Sequence, residues 1–72
     1  MNKINYYEVE FNDGYSICIL GERKPTIEEA SVFLKEDCEK IKTIVANVQE
    51  IDSDEAHTFF YMVNEANFPI FK

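Results

Sequence analysis

The sequence predicts an α+β domain of ββαβα order: a three-stranded sheet built on an antiparallel hairpin, in the order 2-1-3, with two helices packed on one face. Three observations lead there. Two β-rich runs between Ile4 and Leu20 flank Asn12-Asp13-Gly14, an amphipathic run over residues 27–41 follows a capping signature, and a third β-rich run at 43–51 precedes a second helical stretch.

The hairpin comes first. An Asp-Gly pair between β-branched and aromatic runs marks a tight turn, because glycine accepts the positive φ such turns need. A two-residue loop would set Glu10 opposite Ile17 and mix charge with apolar groups on both faces. A three-residue loop pairs Phe11 with Tyr15, Val9 with Ile17 and Tyr7 with Ile19. One face then holds Tyr7, Val9, Phe11, Tyr15, Ile17 and Ile19, and since a slip by one residue destroys this segregation, the three-residue loop is expected. The other face carries Ile4, Tyr6, Glu8, Glu10, Ser16, Cys18 and Leu20, polar near the turn and apolar at the open end.

Gly21–Pro25 reads as a connector, punctuated by glycine and proline and rich in charge. Thr26-Ile27-Glu28-Glu29 spells a capping box, with the Thr26 hydroxyl and the Glu29 carboxylate each set to bond the other residue's backbone N–H. Ile27, Ala30, Phe33, Leu34, Cys38 and Ile41 recur at three and four, which gives an inward stripe. In the third strand Ile44, Ala46 and Val48 are expected on one face, with Val45, Asn47 and Gln49 on the other. Asp52 or Ser53 caps the second helix, whose acids lie in the turn the helix dipole favours and whose inward stripe is Ala56, Phe59, Phe60 and Val63. That helix fades at Asn64–Asn67. Phe68-Pro69-Ile70-Phe71 is too apolar for a frayed end and is expected to dock on its own core or on a neighbour.

Composition narrows function by exclusion. Residues 1–72 read as one small domain, near the size where a single core gives only a few kcal/mol and a partner helps. Fourteen acids against seven bases leave a net charge of −7. That charge disfavours direct binding to nucleic acid or to an anionic membrane surface. No apolar run approaches the ~20 residues of a membrane span, and the start of the chain goes into a strand without a signal-peptide hydrophobic segment. A cytoplasmic location and two unbridged thiols, Cys18 and Cys38, are therefore expected.

Candidate chemistry is sparse. Asp54-Glu55-Ala56-His57 spells the acidic box of helicase motors, yet the chain lacks the glycine-rich phosphate loop that gives those acids work. The same acids with His57 lack the spacing of a zinc site. No nucleophile, base and oxyanion donor converge, so no catalysis, metal or cofactor is expected. What the pattern offers is an interaction surface. Tyr6, Glu8, Glu10 and Leu20 on the second sheet face, Tyr61, and Phe68 and Phe71 in the tail are its candidate residues. The expected function is a small acidic, non-catalytic protein-interaction module, self-associating or bound to a protein partner. The alternative is a nucleic-acid mimic that inhibits a DNA- or RNA-binding protein through carboxylates standing in for phosphates. Lys35, Lys40 and Lys42 interrupt the acidic row such a mimic needs.

Overall fold

In a computed structural model of the chain, residues 3–61 and 68–71 are described, save for the side chains of Phe60 and Tyr61. Strands β1 (Asn5–Phe11) and β2 (Ser16–Gly21) form the hairpin; helices α1 (Ile27–Phe33) and α2 (Lys35–Ile41) follow. Then come β3 (Val45–Ile51), a short α3 (Ser53–Ala56) running into a 3₁₀ helix (His57–Tyr61), and β4 (Ile70–Phe71). The chain is α+β, and among the described residues its mixed sheet has four strands in the order β3-β1-β2-β4.

The hairpin register is the one its turn chemistry calls for. Val9 pairs with Ile17 and Tyr7 with Ile19, the Phe11 N–H donates to Tyr15 O at 2.7 Å, and Gly14 sits at φ +93°. Tyr15 departs from expectation: it is 68% exposed, because β2 begins only at Ser16. β3 pairs antiparallel with β1, so β1 is central and the 2-1-3 neighbours are kept. The expected sheet of three strands is corrected to four. β4 adds beside β2 in parallel, through Leu20 opposite Ile70 and Gly21 opposite Phe71.

Side-chain parity in β3 also differs from simple alternation. Glu10 pairs with Asn47 and Phe11 with Val45, so Ala46 is an extra residue at a bulge. The bulge returns Val45 to the face that Val48 already occupies. Both are buried, while Ile44 is 64% exposed.

The expected single helix over 27–41 is two helices joined at Leu34 (φ −107°, ψ 25°), with neither glycine nor proline at the break. The capping box forms as read: Glu29 N–H donates to Thr26 Oγ1 at 3.1 Å and Thr26 N–H to Glu29 Oε1 at 3.0 Å. Ala30 and Leu34 are buried, and Phe33 and Cys38 half-buried. Ile27 and Ile41, expected inward, are 47% and 46% exposed at the outer ends of the pair. Lys42 ends α2 in the left-handed region at φ 56°.

The two helical layers do not share a face, which corrects the expected packing. The first core joins Tyr7, Val9, Phe11, Ile19, Val45 and Val48 of the sheet to Ala30 and Leu34. A second core lies on the opposite face, where Cys18 and Ile51 meet Ala56 and Phe68, with Tyr6, Leu20 and Phe59 packed around them. The reason is the short connection after Ile51. Its side chain points to the second face, opposite Tyr6, and Asp52, the only residue before α3, caps that helix by accepting from Glu55 N–H at 2.8 Å. The helix therefore folds back over the face that Ile51 presents. Ala56 and Phe59 keep their expected inward places, whereas Phe60, Val63 and the fading end at Asn64–Asn67 lie outside the described side chains. Cys18 is buried in the second core and Cys38 half-buried beside the first, with no disulfide between them. Among the described residues, no helix is long and apolar enough to cross a membrane.

Candidate functional site: a concavity between the first helix and the last strand

The apolar tail docks on its own chain and builds a surface that neither the hairpin nor the helix holds alone. Leu20 N–H donates to Pro69 O at 2.9 Å, which aligns Ile70 and Phe71 beside β2. Gly21 fits closely between the connector and the last strand. A Cβ there would stand 3.3 Å from Arg23 O and 3.4 Å from Phe71 O, tighter than a side chain accepts without a shift.

Arg23 ties the connector to both neighbours. Its guanidinium forks onto the Glu29 carboxylate at 2.8 and 2.5 Å and stacks 5.0 Å above the centroid of the Phe71 ring, geometry that suits a planar cation. Phe71 in turn meets Phe33 edge to face at 5.5 Å between centroids. The Arg23 hydrogen bonds, then the Thr26 backbone N–H, hold the Glu29 carboxyl down at about 2, and the same pairing raises Arg23 further. Glu29 is thus depressed in the folded state, so its contribution to stability is complete above the ordinary value of 4.5 and is lost as pH falls toward about 2. The stability difference between wild type and Glu29→Gln is expected to shrink across that window and to weaken with added salt, since the pair is exposed. Urea midpoints through the acid range check it; a difference that stays constant down to about pH 2 would show that the carboxylate charge plays no part.

Between these groups lies an open concavity of about 680 Å³, lined by Arg23, Glu28, Glu29, Val32, Phe33, Ile70 and Phe71. Val32 is 76% exposed and Ile70 50%. Apolar side chains therefore stand in water on both walls, with one cation already paired and Glu28 left at the rim. A second hollow of about 530 Å³ lies between the hairpin turn and α2 and includes Asp13, Ser31, Lys35, Cys38 and Lys42. Burial, then the neighbouring Asp37 and Glu39, pushes the Cys38 thiol up, which disfavours the reactive thiolate. Among the described residues, no three His, Cys, Asp or Glu side chains cluster as a metal site.

The residues singled out in the sequence divide between core and surface. Tyr6 and Leu20 are half-buried around the second core, Phe68 is buried in it, and Phe71 is half-buried against the first. Glu8 is half-buried and accepts from Gln49 Nε2 at 2.7 Å, while Glu10 is exposed. The Tyr61 side chain lies outside the described residues. Sequence reasoning linked Phe71 to a surface but missed Arg23, Val32 and Ile70. Val32 carried a usable signal, an apolar residue off the inward stripe of an otherwise charged helix face. Comparison with family models, with curated proteins and with solved structures finds no match for this chain.

Proposed function

We propose that this chain works as a small acidic protein-interaction module in the cytoplasm, without catalysis, and that its docking surface is the α1–β4 concavity. The observation that carries this reading is the pair Val32 and Ile70, solvated on facing walls of one hollow whose floor is aromatic. Scattered apolar residues are ordinary on a surface, whereas apolar residues gathered round a concavity match the way anchors seat at interfaces. The partner it suits is a protein with an apolar anchor flanked by lysine or arginine, since the rim holds Glu28 and the chain carries −7. Tyr6 and Leu20 fit this role less well, because they are packed around the second core. Mimicry of nucleic acid has less support: on α2 Lys35 and Lys40 alternate with Glu36, Asp37 and Glu39.

A photo-crosslinking residue placed at Val32, with Lys40 as an exposed control position, tests the proposal in the intact cell. The expected result is one defined protein adduct from position 32, absent from position 40 and lost on Ile70→Asp. Equal labelling from both positions, or none from 32, contradicts it.

A further inference from the structure

The last strand is bonded to the sheet along one side. β4 ends the strand order beyond β2, so among the described residues its outer edge has no strand neighbour. Leu20 lies opposite Ile70, and its N–H donates to Pro69 O at 2.9 Å. In a parallel ladder the bonds of Leu20 go to the residues on either side of its partner, so Pro69 C=O and Phe71 N–H face β2. The N–H and C=O of Ile70 therefore face outward. Ile70 also lines the α1–β4 concavity and is exposed there. One residue thus offers a backbone donor and a backbone acceptor at the mouth of an apolar hollow. An added strand uses this combination, taking its main-chain bonds from a sheet edge and seating alternate side chains in a pocket beside it.

We propose that the partner of the concavity binds as an extended segment, pairing its main chain with Ile70 and seating alternate side chains against α1. The proposal rests on the docking reading above and adds the conformation the partner takes. A partner residue set opposite Ile70 shares its face of the sheet, and the residues on either side of it turn to the face of Phe71. Across the hollow on that face lie Val32 and Phe33, so these two partner residues are the apolar anchors. Charge fits a basic segment: Arg23 is already held by Glu29, while Glu28 is exposed at the rim. A helical partner suits the site less, because its own N–H and C=O groups are bonded internally and leave those of Ile70 unmet. β4 is only two residues long, so main-chain pairing centres on Ile70 and the apolar contact of the hollow must accompany it.

Random peptides displayed on phage, selected on the intact chain and counter-selected on Val32→Asp, supply the probe. The selected sequences are expected to carry apolar residues two apart with lysine or arginine beside them. The synthesised peptide is expected to slow hydrogen exchange at the Ile70 amide. N-methylation along that peptide should weaken binding about tenfold at the one N–H that donates to Ile70 O, and much less at the neighbouring N–H groups, which point away from the sheet. Anchors spaced three or four apart, or an Ile70 amide whose exchange is unchanged in the saturated complex, overturn extended pairing and leave the docking surface standing. A selection that yields no peptide able to distinguish the wild type from Val32→Asp overturns both.

Discussion

Replacing Tyr7 with alanine is expected to lower the unfolding free energy by about 3–5 kcal/mol, the range for removing a buried aromatic. Tyr7 is 2% exposed at the centre of the first core, on the central strand, with Ile19 opposite it. A domain of this length is expected to hold roughly 4–11 kcal/mol in all, so the variant loses a large share of its stability. Phe33→Ala is the informative contrast. Phe33 is half-buried under Phe71 and should cost less, about 1.5–3 kcal/mol. Urea midpoints of the two variants decide it: equal losses would mean that the core is centred on the helix and not on the strand.

The second large effect is expected at Phe68. Its side chain, 5% exposed, fills the second core with Cys18, Ile51 and Ala56. Phe68→Ala should cost about 3–5 kcal/mol, as much as a core position in the middle of the chain. A frayed terminal segment would lose almost nothing on the same change. Equilibrium unfolding separates the two, and a loss below about 1 kcal/mol would mean that the tail does not contribute to this core.

Much of the fold is legible in the residues because local chemistry specifies it. Asn12-Asp13-Gly14 and the period-two pattern around it fix one register, since any slip exposes Val9 and Ile19. Thr26 and Glu29 mark the start of α1 by a bond each makes to the other's backbone. The features that escape are set by contacts distant in sequence. The extra residue at Ala46 reverses parity only through β3's pairing with β1, and alternation within β3 alone assigns Val45 to the wrong face. The side taken by α3 depends on which way Ile51 points, onto the second face opposite Tyr6, and on the contacts Ala56 finds there.

β4 is hidden for a different reason. Two residues after a proline carry no strand period, and their pairing with Leu20 and Gly21 joins segments far apart in sequence. The concavity inherits that opacity, since one wall is a helix face and the other is a strand that exists only once docked. Arg23 looks like an ordinary connector charge until Glu29 and Phe71 arrive on either side of it.

Docking of residues 68–71 on their own chain closes the second core and builds the concavity, and amide hydrogen exchange at Leu20 tests it most directly. Tyr6 and Leu20 face each other in β1–β2 at a position that does not exchange hydrogen bonds. The Leu20 N–H therefore points away from β1, and its acceptor is Pro69 O at 2.9 Å. With the tail docked, Leu20 is expected to exchange as slowly as Ile19 and Gly21, which bond inward to β1, and to speed up selectively in Phe68→Ala. A Leu20 amide that exchanges at the rate of an open loop in the wild type, while Ile19 stays protected, would contradict the account.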